Sequence, residues 1–239
     1  MLDGFWKAAA AAPFVILTDF DFTISNEDVG DLIAERLAPP SDETRRRFGR
    51  REIGTRGYWL DSMIRVEQAA AECLADQVGI DPGFVPFADW CAEQGIPLAV
   101  VSDGFSFYID RILARHGVRP LPVFSNRFGG TGSLQFPHGN PYCDLCGCCK
   151  AGIVRRVKDS GAHILYLGDG VSDRYAVAFA DWVFAKASLA DRMREWGAPF
   201  FPLTDWGAVQ RTVAAGLAQF RDGSHPGKAG LAADPICRF

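Results

Sequence analysis

No apolar run in this chain reaches the ~18 to 20 residues that a membrane-spanning helix needs, because Asp, Arg, Lys or Gly interrupts every hydrophobic stretch. Positive charge is not in surplus. The balance of 25 basic against 29 acidic residues gives a net charge of −4, a field that attracts neither nucleic acid nor an anionic membrane. An anionic ligand would therefore need a local charge or a bound cation. The opening segment MLDGFWKAAAAAP has no basic stretch followed by a strongly apolar one, so it reads as a loose arm and not as a secretion signal. Cysteine is scarce outside one place. Of the seven, four stand at Cys143, Cys146, Cys148 and Cys149, a pattern that suits reduced cytoplasmic thiols or a metal better than a disulfide scaffold.

What is present suits a globular protein: 239 residues, 48% apolar and 12% aromatic, with neither repeats nor low-complexity tracts. Four short apolar runs, at 13–19, 96–104, 162–170 and 181–187, end on Asp or Gly and alternate with amphipathic stretches of helical length. Runs of this kind fit strands buried on both faces, which predicts an α/β fold with a parallel sheet. Ligands in such sheets lie beyond the carboxyl ends of the strands, where the acids and glycines of this chain stand. Residues 25–80 read as an inserted helical cap, leaving 1–24 and 81–239 as the core. Within the cap one helix begins near Ser25 and Asp28 and is closed by Pro39 and Pro40, and a second spans 58–78. Residues 82–94 form a core helix closed by Gly95, and the Gly- and Pro-rich tail from 221 is expected to be poorly packed.

Four clusters carry chemistry. Asp19 and Asp21 emerge together at the end of the first run, and two facing carboxylates repel unless a cation lies between them. Mg²⁺ suits the pair, since it takes hard oxygen ligands and keeps waters for a phosphate to replace. Thr23 follows closely. Ser102, Asp103 and Gly104 end the second run ahead of a helical pattern, an arrangement that can cradle an anion. Lys150 begins a helix, where its charge opposes the helix dipole unless an anion is near. Asp169 and Asp173 lie in the glycine-rich GDGVSD loop after the third run. Each cluster alone also has a plain reading as a cap, turn or surface charge, but four coincidences at strand ends in one chain do not.

In this order the clusters resemble the four motifs of the haloacid dehalogenase superfamily, over residues 13 to about 210. That resemblance implies a Rossmann-like core and a Mg²⁺-dependent phosphatase. Asp19 would be the nucleophile that forms an aspartyl-phosphate, and Asp21 the acid and base. Ser102 and Lys150 would hold the phosphoryl oxygens, with Thr23, Asp103 and Gly104 beside the substrate. Asp19, the Asp21 carbonyl and Asp169 would hold the metal, supported by Asp173. The insert, the SDGFSFYI stretch and the Cys-x-Cys-Cys-Lys ending resemble the branch that contains phosphoserine phosphatase and a methionine-salvage phosphatase. The substrate implied is a small phosphorylated metabolite, and the partners exclude nucleic acid and membrane. The chain would act in the cytoplasm as a monomer or homodimer. Phe22, where many relatives have a small or polar residue, would press on the leaving-group site. Zinc held by Cys143, Cys146, Cys148 and Cys149 is a weaker expectation than packed thiols. The cap arginines at 45, 46, 47, 50, 51 and 56 form a solvated face from which one could reach an anionic substrate. A phosphoryl-storing receiver domain or a catalytically silent binding protein of the same fold are the non-enzyme alternatives.

Overall fold

The computed structural model describes residues 1–231. A seven-stranded sheet runs through it in the order β4-β3-β2-β1-β5-β6-β7. Its members are β1 (Phe14–Thr18), β2 (Leu98–Phe105), β3 (Val123–Phe128), β4 (Leu134–Gln135), β5 (His163–Gly168), β6 (Trp182–Ala185) and β7 (Phe201–Pro202), parallel except for the β3–β4 pair. All five residues of β1 are buried. Phe14 and Ile16 enter one hydrophobic cluster while Val15 and Leu17 enter the other. That alternation is why this strand carries no polar face: both sides of the sheet are covered.

On one side lie α5 (Gln68–Ala75), α6 (Phe84–Glu93), α7 (Ser106–Arg115), α10 (Trp206–Ala215) and α11 (Leu217–Asp222), packed around the fully buried Trp182 and Trp206. On the other lie α1 (Leu2–Ala11), α8 (Lys150–Lys158) and α9 (Ala187–Glu195). The chain leaves β1 toward β2 and β3, and β5 returns to the opposite side of β1. The crevice at the carboxyl ends of β1 and β5 is thus the topological switch point where ligands bind in open α/β sheets.

Several local expectations are corrected. The amino-terminal segment is not a loose arm: it forms α1, whose Phe5 and Trp6 pack on Phe124 and whose Trp6 ring lies 3.9 Å under the Arg156 guanidinium. The expected helix at 58–78 is broken into α4 (Thr55–Asp61), a 3₁₀ turn (Met63–Arg65) and α5. Before it come α2 (Val29–Leu37) and α3 (Asp42–Gly49), capped by Asp28 and Ser41. The tail is packed as far as it is described. His225 stacks at 4.0 Å on Phe220, and the Ala229 amide donates to the Asp181 carbonyl. Residues 232–239 lie outside the described residues. Among the described residues no helix is long and apolar enough to cross a membrane.

Candidate active site

β1 ends at Thr18, one residue before Asp19, so Asp19 and Asp21 do not emerge together from the strand as the sequence suggested. They leave it on a turn in which Phe22 takes the left-handed conformation, φ 52°, and turns its ring outward, 48% exposed. The expected pressure of Phe22 on the site is absent because the ring does not line the cavity.

That cavity, about 480 Å³, is walled by Asp19, Asp21, Asp28, Asp103, Lys150 and Asp169 at its polar end. Phe48, Ile53, Trp59, Leu145 and Val171 form its apolar part. Lys150 is the hinge of the charge arrangement. Its Nζ lies 2.6 Å from Asp19 Oδ2 and 2.7 Å from Asp173 Oδ1, with the lysine side chain only 2% exposed. Burial alone would lower the lysine pKa, but the Asp173 and Asp19 carboxylates overcome it and hold the ammonium charged. The anion expected beside this first-turn lysine is therefore a pair of carboxylates.

Asp173 is fully buried behind the wall. It accepts from Lys150, from the Tyr166 hydroxyl at 2.6 Å and from the Asp169 and Gly170 amides at 3.1 and 3.0 Å. It thereby fixes the glycine-rich loop so that Asp169 faces the cavity. A Cβ at Gly168 would stand 2.5 Å from Asp173 Oδ2, which explains glycine there. Ligand oxygens of Asp19, Asp169 and Asp173 all come within 4.8 Å of one another. The Asp21 carboxylate is not in that group.

The Asp19 carboxyl is pushed up by burial and by the neighbouring Asp173 charge. Asp169 is pushed up to about 7 by the same two causes. Fully ionised, these three acids would carry three negative charges against one lysine. The excess of two, on hard oxygen donors, fits a divalent cation such as Mg²⁺.

Asp21 is held apart from this group. Its Oδ1 accepts from the Val29 amide at the start of α2 (2.9 Å), and its Oδ2 from Tyr108 at 3.0 Å and Ser102 at 3.3 Å. Burial and the adjacent Asp28 raise its pKa to about 8, so the carboxyl is protonated at neutral pH in the metal-free protein.

Three expected substrate contacts are engaged within the protein. Ser102 is fully buried and off the cavity wall; β2 continues through a bulge to Phe105, so its hydroxyl neither caps α7 nor faces the cavity, and it accepts from the Gly104 amide at 2.9 Å. Thr23 is likewise buried, its hydroxyl 3.3 Å from Asp169 Oδ1. Asp103 reaches the cavity but spends its carboxylate on the Cys148 amide (2.7 Å), Asn126 Nδ2 (3.2 Å) and the Thr55 hydroxyl. Its carbonyl accepts from Trp59 Nε1 at 2.9 Å. Asp103 therefore joins α4, β3 and the cysteine-rich loop.

That loop has a second role. Leu145 accepts from the Arg56 amide at 3.1 Å, and Gly54 approaches the Leu145 carbonyl so closely that any Cβ would collide with it. The loop that presents Lys150 thus also grips the segment over the cavity. Its thiols do not converge: Cys148 Sγ donates to the Phe124 carbonyl, while Cys149 caps α8 by accepting from the Gly152 amide. Among the described residues, the aspartate group is the one set of three or more suitable donors within ligand distance, and nothing supports zinc at the four cysteines.

Of the cap arginines, Arg45 pairs with Glu35, Arg46 with Glu43, and Arg47 and Arg50 with Glu52. Arg51 lines the cavity, as does Arg174 from the 3₁₀ turn Val171–Tyr175. Sequence reasoning missed Asp28, Thr55, Tyr108 and Arg174. Only the position of Arg174, next to Asp173, offered a signal for it.

Comparison with known proteins agrees with this geometry. The chain is 29% identical over 197 residues to the 2-hydroxy-3-keto-5-methylthiopentenyl-1-phosphate phosphatase of Brevibacillus brevis, covering 77% of this chain and 88% of that one. Its fold is similar to a phospho-aspartyl intermediate analogue of phosphoserine phosphatase, with TM-score 0.59 and 20% identity over 85% of this chain and 98% of that one. A probable phosphoserine phosphatase from Vibrio cholerae gives TM-score 0.63 and 17% identity, over 92% of this chain and 69% of that one. A family model described as Putative Phosphatase matches residues 14–187, and the chain belongs to that family.

Proposed function

We propose that the protein hydrolyses a small phosphate monoester in two steps through Asp19. The observation that carries this reading is the convergence of Asp19, Lys150 and Asp169 on one wall of the cavity at the ends of β1 and β5, with a protonated Asp21 on the same cavity. In the first step an Asp19 carboxylate oxygen attacks phosphorus, the ester P–O bond breaks, and the Asp21 carboxyl gives its proton to the leaving alkoxide. In the second, Asp21 takes a proton from water, the water oxygen bonds to phosphorus, and the bond to Asp19 breaks. Splitting one difficult displacement into two easier ones is the gain from covalent catalysis.

Lys150 neutralises phosphoryl charge from a buried position, where an electrostatic contact is stronger than in water. A Mg²⁺ ion held by Asp19 and Asp169, with the Asp21 carbonyl, would supply further charge neutralisation at the phosphoryl group. Asp173 orients Lys150 and the Asp169 loop. Ser102 and Thr23 steady Asp21 and Asp169, and Gly104 and Asp103 shape the wall. Residues 25–80 form a cap over a core of 1–24 and 81–239, closed by the contacts of Thr55 and Trp59 with Asp103 and of Gly54 and Arg56 with the loop at Leu145.

For the substrate, the wall of Phe48, Ile53, Trp59 and Leu145 suits a leaving group with an apolar end more than a short zwitterion. That supports the methionine-salvage enol phosphate, the compound named in the curated relatives, over phosphoserine. The reduced thiols and a metabolite as substrate support a cytoplasmic location. Phosphate release with Mg²⁺ across p-nitrophenyl phosphate, phosphoserine, phosphoethanolamine, pyridoxal phosphate and the enol phosphate tests the reading. Preference for the enol phosphate supports it; preference for phosphoserine would overturn the substrate assignment, and no release from any ester would overturn the activity.

A further inference from the structure

Tyr108 is fully buried in α7, and nothing in the two-step scheme above uses it. Its hydroxyl lies 3.0 Å from Asp21 Oδ2, and Ser102 Oγ lies 3.3 Å from the same oxygen. Two hydroxyl donors fill the two lone pairs of Oδ2. The other oxygen, Oδ1, receives a single donor, the Val29 amide at 2.9 Å.

In a neutral carboxyl group the carbonyl oxygen is the better acceptor and the hydroxyl oxygen carries the proton. The uneven donor count therefore makes Oδ2 the carbonyl oxygen and places the transferable proton on Oδ1. Gly104 belongs to the same arrangement, because a Cβ there would collide with the Tyr108 hydroxyl and stand 2.7 Å from Asp21 Oδ2. The Tyr108 ring is itself clamped, its centroid 6.2 Å from Phe20 and 5.3 Å from Phe107.

We propose that Tyr108 is a positioning residue for proton transfer: by donating to Oδ2 it fixes the rotation of the Asp21 carboxyl and directs the proton on Oδ1 to the leaving-group oxygen. The inference rests on the assignment of Asp21 as the general acid. Proton donation matters in proportion to the basicity of the leaving group. A nitrophenolate departs almost unaided, whereas an alkoxide needs the proton.

The test is kcat/KM for wild type, Tyr108→Phe and Asp21→Asn on p-nitrophenyl phosphate and on an alkyl ester, glycerol phosphate, with a thermal melt of each variant. Tyr108→Phe removes one oxygen and keeps the ring. The expected result is a loss of about tenfold or more on the alkyl ester and less than about twofold on the aryl ester. An equal loss on both esters, with or without a lower melting temperature, assigns Tyr108 a merely structural role and overturns the proposal. So does no loss on either. If Asp21→Asn itself spares the alkyl ester, the acid assignment fails and the proposal falls with it; if Asp21→Asn loses the alkyl ester and Tyr108→Phe does not, the proposal alone fails.

Discussion

Lys150 and Asp19 form an ion pair of 2.6 Å with the side chains 2% and 7% exposed. A pair so deeply buried gives little net stability, because desolvation offsets the attraction. Breaking it from one side is different. Lys150→Ala leaves Asp19 and Asp173 facing each other without compensation and should cost about 3–5 kcal/mol, measured by denaturant unfolding without metal. Lys150→Ala in an Asp19→Asn background should recover part of that loss, since one of the two facing charges is gone.

The metal-free protein should become more stable as pH falls from about 8 toward 5. Asp21 and Asp169 have folded pKa values raised by burial to about 8 and about 7 from the ordinary aspartate value of 3.8, so the folded state binds more protons than the unfolded chain in that window. Stability from this source is complete below the unfolded value and is lost as pH rises through the folded values. Thermal melts in chelator should show the trend, and saturating Mg²⁺ should flatten it by stabilising the ionised acids at the higher pH. A melting temperature that rises with pH in chelator would contradict the assignment.

Much of the catalytic wall was legible in the sequence, because chemistry demands particular residue types at strand ends. Asp19, Lys150 and Asp169 are the acid and lysine side chains that the sequence placed at strand ends and a helix start, and all three line one cavity. The sheet was legible for the same reason that its strands are strong: β1, β2, β5 and β6 are buried on both faces. The strands β3, β4 and β7 were missed; β4 and β7 are two residues long, and β3 carries three consecutive polar residues, Ser125, Asn126 and Arg127, that break its apolar run. The break at Met63–Arg65 was illegible because Val66 and Arg65 continue a helical pattern that tertiary contacts interrupt. The engagement of the Ser102 hydroxyl with Asp21 and the Gly104 amide was also illegible, since it depends on the course of β2, whose register against β3 shifts between Val101 and Phe105.

The cap should depend on Asp103 more than its place on the cavity wall suggests. Asp103→Ala leaves the buried Cys148 amide without its acceptor and frees Thr55, at a cost of about 1–3 kcal/mol. Limited proteolysis should then cut the segment between α3 and α4 faster than in wild type. Thr55→Val should raise that rate while leaving the melting temperature of the core nearly unchanged.

Arg51 is the cap arginine expected to touch substrate. It is exposed, lines the cavity, and among the described residues takes part in no ion pair. Arg51→Ala should raise KM about tenfold, the size of one lost charge-assisted hydrogen bond, without moving the melting temperature. Arg46→Ala, whose guanidinium pairs with Glu43 on the surface, should change neither.

The most direct test of the account is to find the phosphoryl group on the chain. Wild-type protein mixed with p-nitrophenyl phosphate and Mg²⁺, quenched in acid during turnover and reduced with borohydride, should yield homoserine in place of Asp19 in the peptide that spans β1. Asp19→Asn should yield none and release no phosphate. Turnover by wild type with no modification at position 19, or turnover by Asp19→Asn, would contradict the covalent mechanism.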